Sequence, residues 1–265
     1  MRNLFRRRSA ARSQVGLALS GGAVRGFAHL GVWEVLHEQG FEPCCVVGTS
    51  AGSIMGALIA AGVPPQAIWE QAETLNWRKL LRPVSPARLG WATLAPLVDL
   101  LEELMGGPKT FADLPIPFAC VAFDLEREEP ILLREGRVAL AVQASCSVPG
   151  LFAPVEWEGR LLVDGGVARN LPTCALHELG ATRTIAVDVI PKRGTPARPR
   201  TPIGVGLNAL YNLVRANHEL HCADVVITPN VRDISFNDIG KRHVLAQRGR
   251  EAAQHAWPDI QTLLT

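Results

Sequence analysis

The stretch "CCVVGTSAGSIMGALIAAG", from Cys44 to Gly62, constrains this chain more than any other. A short apolar run with the length of a buried strand passes at once into a small-residue run with the length of a helix. The chain must therefore turn sharply between them. Ser50 sits at that turn in the pattern G-x-S-x-G, flanked by Gly48 and Gly52. A sharp strand-to-helix turn presents a serine hydroxyl at a sheet edge and crowds the backbone around it, and the glycines on either side relieve that crowding. The helix that starts after Ser50 aims its free N–H groups and the positive end of its dipole at the same place. Ser50 is a candidate nucleophile; the plainer reading is a polar residue in a tight structural turn.

Two further stretches bear on the choice. "LALSGGAVRG" places Gly21, Gly22 and Ala23 after a buried strand, with Arg25 and Gly26 opening the next helix. Backbone N–H groups in such a loop suit an anion. The spacing matches neither G-x-G-x-x-G nor G-x-x-x-x-G-K-[ST], which argues against a nucleotide. An oxyanion hole and a plain strand-to-helix turn are the remaining readings. "LLVDGG" ends an apolar strand at Asp164 and continues with Gly165 and Gly166. That carboxylate stands where open α/β sheets bind ligands, although a turn aspartate is the commoner occurrence.

Strand and helix patterns alternate along the chain. "VGLALS", "CCVVG", "IPFACVAFDL", "EPILLREG", "GRLLVDGG", "TRTIAVDVI" and "DVVITPN" read as strands. "RGFAHLGVWEVLHEQG", "SAGSIMGALIAAG", "AIWEQAETLNW", "LAPLVDLLEELMG", "VALAVQASCSV", "CALHELG", "GLNALYNLVRANHELHCA" and "KRHVLAQRGREAAQHAW" read as helices. This order predicts an α/β fold of three layers, αβα, around a mainly parallel central sheet. Residues 1–14 read as a basic tail and 15–190 as the body of one domain, with an insertion at about 77–113 marked by scattered prolines. Residues 191–265 complete the same domain, beginning with a Pro- and Arg-rich loop. His177, His218, His221, His243 and His255 all fall in predicted helices and read as structural, so spacing alone does not assign a Ser-His-Asp triad.

Charge and cysteines limit the partners. The net charge of +2 is uneven: the first thirteen residues hold five arginines and no acid, and the rest carries a formal −3. Such a body is not a nucleic-acid binder. The tail reads as solvated, with anionic lipid headgroups as the alternative. No apolar segment predicts a secretory signal or a spanning helix, so a lipid would be met from water. Cys44, Cys45, Cys120, Cys146, Cys174 and Cys222 show no C-x-x-C pair; they read as free thiols of a reducing compartment, with no zinc spacing.

Taken together, a glycine loop, a G-x-S-x-G turn and a distant D-G-G resemble the patatin-like phospholipase family, in its compact bacterial branch. The resemblance runs from Val15 to about Ile190 and includes "RGFAHLGVWEVL", "GTSAGS", "TFADLPIPFACVAFDL", "ASCSVPGLFAPV" and "LVDGG". It implies a serine acyl hydrolase of phospholipids or lysophospholipids. Ser50 would be the nucleophile and Asp164 its proton acceptor in a dyad without histidine, with Gly21, Gly22 and Ala23 as the oxyanion loop. Arg25, Gly26, Gly48, Gly52, Gly165 and Gly166 would support these motifs. It implies neither metal nor cofactor, an acyl lipid as substrate, and a cytoplasmic protein in peripheral contact with the inner membrane face. "NWRKLLRP", with Arg88 and Trp91 beyond it, mixes basic and aromatic residues and reads either as a segment that docks on headgroups or as an ordinary solvated insertion. One residue departs from the family pattern: Ala23 stands where a third glycine is usual, and a positive φ there would strain it. A small-ester hydrolase or thioesterase with the same dyad, or an interaction protein with an idle dyad, remain as alternatives.

Overall fold

Large and small apolar side chains alternate along the central strands, and this sets the two faces of the sheet. Leu17, Leu19, Ile185 and Val187 point into a large core on one face, while Ala18, Ala119 and Ala186 face a smaller one on the other. In a computed structural model that describes residues 14–75, 80–85, 88–190, 205, 206, 209, 212, 214, 217–235 and 237–265, the strands are β1 (Val15–Leu19), β2 (Val46–Thr49), β3 (Arg82–Pro83), β4 (Ala92–Thr93), β5 (Phe118–Asp124), β6 (Glu129–Leu133), β7 (Val155–Trp157), β8 (Arg160–Asp164), β9 (Arg183–Val187) and β10 (Val225–Ile227). The central sheet has the order β10-β9-β1-β2-β5-β8-β7, with β6 also on β5; β3 and β4 form a separate hairpin. From β10 to β5 every pairing is parallel, while β6, β7 and β8 are antiparallel to their neighbours.

The helices are α1 (Phe27–Glu38), α2 (Ala51–Ala60), α3 (Pro65–Thr74), α4 (Ala95–Leu104), α5 (Val138–Ser145), α6 (Ala175–Glu178) and α7 (Arg242–Leu264). All but α6 contribute side chains to the large core. Ala175 and Leu176 of α6 cover the smaller face, among the described residues, together with Leu171 and Ala181. Hydrophobic burial of this kind, at about 25 cal/mol per Å² of apolar surface, is the main stabilising contribution. The chain is thus a mixed α/β fold with a mainly parallel central sheet. None of the described helices is long and apolar enough to cross a membrane.

Two sequence expectations change. The helix predicted over 206–223 lies largely outside the described residues, but its end is not α-helical: His218 bridges to Leu171, and Leu220–Cys222 makes one 3-10 turn. Cys174 and Cys222 are joined by a disulfide, whereas Cys44, Cys45, Cys120 and Cys146 are free. Their separation of 48 residues hid the pair; the bridge at Leu171–His218 is what carries one cysteine to the other. The same contact brings His221 Nε2 to 3.4 Å from the Cys174 sulfur, a trio of metal-ligating types whose two thiols the disulfide occupies. The basic tail before Gln14, Trp77 and the loop 191–204 lie outside the described residues.

Candidate active site

Ser50 lies between the end of β2 and the first residue of α2, with φ +51° and ψ −123°. Such a left-handed conformation costs a non-glycine residue about 1–3 kcal/mol and persists only where its surroundings over-determine it. Here they do. The Ser50 N–H donates to Ser145 Oγ at 2.9 Å, and Ser145 in turn donates to the Val121 carbonyl at 2.6 Å. The Ser50 carbonyl accepts from the Ser53 N–H at 2.8 Å and the Ser53 hydroxyl at 2.6 Å. The two flanking glycines are needed for space. A Cβ on Gly48 would lie 2.3 Å from the Gly52 carbonyl oxygen, and one on Gly52 would lie 2.2 Å from that of Leu19.

Asp164 reaches Ser50 by an arrangement of strands that periodicity does not show. β6 holds one edge of β5 from Cys120 to Asp124. β2 therefore takes the opposite edge, ending at Thr49 beside Val121, and β8 takes the same edge, ending at Asp164 beside Ala122. The two strands meet end to end from opposite directions, and both side chains open into one cavity. Gly165 makes the meeting close, since a Cβ there would lie 2.3 Å from the Val121 carbonyl oxygen. Burial pushes the Asp164 carboxyl up to about 6, while the Ser50 hydroxyl and the Gly166 N–H (2.8 Å from Asp164 Oδ1) favour the charged form and partly offset it.

The glycine loop lies across the same cavity. Its three members differ in role. The Gly21 N–H is already engaged, donating to the Asn170 carbonyl at 3.1 Å. The N–H groups of Gly22 and Ala23 make no other hydrogen bond among the described residues and border the cavity beside Ser50. Ala23 adopts φ +48°, so the strain anticipated from its sequence position is present. Ala23→Gly should remove about 1–2 kcal/mol of left-handed strain and lose part of that gain to chain entropy. The net expectation is a stabilisation of about 0.5–1 kcal/mol in denaturant melts, with the N–H and turnover retained. Arg25 is buried and donates from Nε to the Ile234 carbonyl at 2.8 Å, so it ties the loop to the chain before α7 and does not line the cavity. Gly26 lets α1 approach the start of α2, where a Cβ would lie 2.7 Å from that of Ala51.

Away from this polar end, the cavity is apolar and has a volume of about 740 Å³, within the range of small-molecule sites. Ile54 and Leu58 of α2 form one wall; Leu97, Leu100 and Leu104 of α4 form another. The segment that reads in sequence as an insertion therefore supplies part of the lining.

Several site residues escape sequence reasoning. His29 is fully buried, its Nε2 donates to the Ser20 carbonyl at 2.8 Å at the root of the glycine loop, and burial pushes its pKa down to about 4. Ser145 lies in "ASCSVPGLFAPV", a stretch that carries the resemblance but assigns this serine no role, and Asn170 lies outside the stretches quoted for it. His218, expected in a helix, is buried against Asn170 and Asp188.

Comparison with known proteins bears on the family and the fold. The sequence model of the patatin-like phospholipases matches residues 17–177. An uncharacterised NTE family protein of Mycobacterium tuberculosis is 34% identical over 219 residues, covering 82% of this chain and 60% of that protein. The lysophospholipase nte1 of Aspergillus fumigatus is 35% identical over 183 residues, 66% of this chain and 12% of that protein. Among solved structures, VipD from Legionella pneumophila superposes with a TM-score of 0.61 at 17% identity, over 92% of this chain and 66% of that one. ExoU from Pseudomonas aeruginosa, in complex with SpcU, gives 0.54 at 16% identity over 95% and 53%. At such identities the structures speak to the fold alone. The chain spans three fifths, 60%, of the length of its mycobacterial relative.

Proposed function

The chain belongs to the patatin-like phospholipase family, and from that membership and the site's geometry we propose that it is a serine acyl hydrolase cleaving fatty-acyl esters of phospholipids or lysophospholipids. The observation that carries the reading is the placement of Ser50 and Asp164 together at the polar end of a leucine-lined cavity. Ser50 Oγ attacks the acyl carbonyl carbon as Asp164 takes its proton. The Gly22 and Ala23 N–H groups hold the oxyanion, a contribution of about 2.7–4 kcal/mol per donor. Collapse expels the alcohol, which leaves with the proton from Asp164. Water then attacks the acyl-serine, giving its proton to Asp164; the fatty acid departs and the proton returns to Ser50. A carboxyl near 6 suits this task, being ionised at neutral pH yet a better base than an ordinary aspartate.

The test is fatty-acid release from a panel of lysophospholipids, phospholipids and short-chain esters, with Ser50→Ala as the blank. Release from the long-chain lipids supports the reading. Release confined to short esters or thioesters replaces it with the small-ester alternative, and no release from anything leaves the dyad idle.

The lipid surface is met at the β3–β4 hairpin. Leu89 and Trp91 are 65% and 68% exposed, with Arg82 and Arg88 exposed beside them. The hairpin is joined to the cavity rim by the Trp91 N–H, which donates to the Leu151 carbonyl at 3.1 Å, and by the Ala153 N–H, which donates to the Ala92 carbonyl at 2.8 Å. Leu89→Ala with Trp91→Ala should weaken binding to anionic vesicles about tenfold or more, read by co-sedimentation. Unchanged binding would remove the hairpin from the interface.

A further inference from the structure

The glycine loop and the Asp164 loop belong to distant parts of the sequence, and one side chain stands between them. Asn170 accepts the Gly21 N–H through its backbone carbonyl at 3.1 Å. Its side-chain Oδ1 fills the notch between the loops, 2.4 Å from where a Cβ on Gly21 would lie and 3.0 Å from where one on Gly166 would lie. Gly166 in turn gives its N–H to Asp164. Asn170 is itself 1% exposed.

The Asn170 amide is fixed from behind. Its Nδ2 lies 3.0 Å from His218 Nε2, and His218 Nδ1 lies 3.2 Å from Asp188 Oδ2. An amide nitrogen only donates, so Nε2 accepts and Nδ1 carries the proton that Asp188 receives. Asp188 is fixed in turn by the Ile190 N–H on Oδ1 at 2.8 Å. The strand-like piece carrying His218 is held against the Asp164 loop along its length. Asn217 Nδ2 donates to the Val167 carbonyl at 2.7 Å, the Glu219 carboxylate receives Arg169 at 2.8 Å, and the disulfide closes at Cys222. This brace, residues 217–222, lies beyond residues 17–177, which the family model covers.

We propose that Asn170 is a positioning residue that sets the distance between the oxyanion donors and Asp164, and that His218, backed by Asp188, acts through it. The proposal rests on the hydrolase reading above for the identity of the donors and the base. Asn170→Ala keeps the backbone bond to Gly21 and removes the wedge together with its hydrogen bond to His218. Misplacing reacting groups by about 1 Å costs on the order of 100-fold in rate. Asn170→Ala should therefore lose about that factor in kcat with KM changed less than about twofold. His218→Phe should lose about tenfold, and His218→Gln, which retains an acceptor and a donor, should recover most of it.

The deciding measurement is the cycle of Asn170→Ala, His218→Phe and the double variant, read as the rate of Ser50 labelling by a fluorophosphonate and as kcat, with thermal melts alongside. If His218 acts through Asn170, the double variant is no slower than Asn170→Ala alone. Additive losses, or labelling by Asn170→Ala within about threefold of wild type, would overturn the proposal. Where His218→Phe does not fold, Asp188→Asn takes its place in the cycle with the same expected coupling. The labelling arm needs no lipid substrate, so a wild type that labels but releases no fatty acid refutes the proposed function and leaves this inference standing.

Discussion

Ser50→Ala is expected to lower acyl-ester turnover by at least about 10⁴-fold while leaving the fold intact. The magnitude follows from the covalent route: without Oγ no acyl-enzyme forms, and the donor loop and cavity alone supply only residual catalysis. Stability should survive because the bonds that hold the turn use the Ser50 backbone, its N–H on Ser145 and its carbonyl on Ser53. Alanine also tolerates a left-handed φ about as well as serine; the same chain already holds Ala23 at +48°. The check is fatty-acid release together with fluorophosphonate labelling, each compared with wild type at matched melting temperature. Labelling that persists in the variant would place the nucleophile elsewhere.

Asp164→Asn has the second large effect, and it changes three quantities at once. The amide keeps the shape and cannot take the Ser50 proton, so turnover should fall by about 10⁴-fold, as when a triad carboxylate becomes its amide. In wild type, kcat/KM should rise with pH through about 6 and level off above it, because the base must be ionised; the variant should lack that step. Stability should move the other way. A carboxyl whose folded pKa is raised from 3.8 to about 6 favours folding fully only below its unfolded value, and that contribution is lost as pH rises through about 6. Ionised Asp164 is therefore a burden at pH 8. Asn should relieve it by on the order of 3 kcal/mol, with the advantage vanishing below about pH 4. A flat wild-type pH profile across this range, or equal denaturant midpoints for the two proteins at pH 8, would show that Asp164 is not the buried base.

How much of this was legible beforehand depends on the distance over which each feature is encoded. The turn at Ser50 is local: strand, two glycines and helix follow one another, and the steric need for Gly48 and Gly52 is met within a few residues and one neighbouring strand. The D-G-G aspartate was legible as a residue type at a strand end, but not its direction of approach. Only pairing shows that β8 runs against β5 and meets β2 head to head, since period-2 patterning is the same for parallel and antiparallel strands. The brace at 217–222 reads as helix in sequence because its apolar spacing continues that of the preceding residues. Tertiary contacts to Val167, Leu171 and Arg169 override that local preference.

The sequence by itself determined the α/β class, the alternating faces of the sheet and the sharp turn at Ser50, because strand alternation, glycine spacing and turn geometry are short-range properties of the chain; Asp164 as its partner came from the family resemblance. Tertiary structure alone decided which N–H groups of the glycine loop have no partner among the described residues, how far burial raises Asp164, and that Cys174, Cys222, Asn170 and His218 converge behind the site. Those outcomes depend on strand register and on what excludes water from a given atom. Both are set by residues that are tens to more than a hundred positions apart and that no local pattern records.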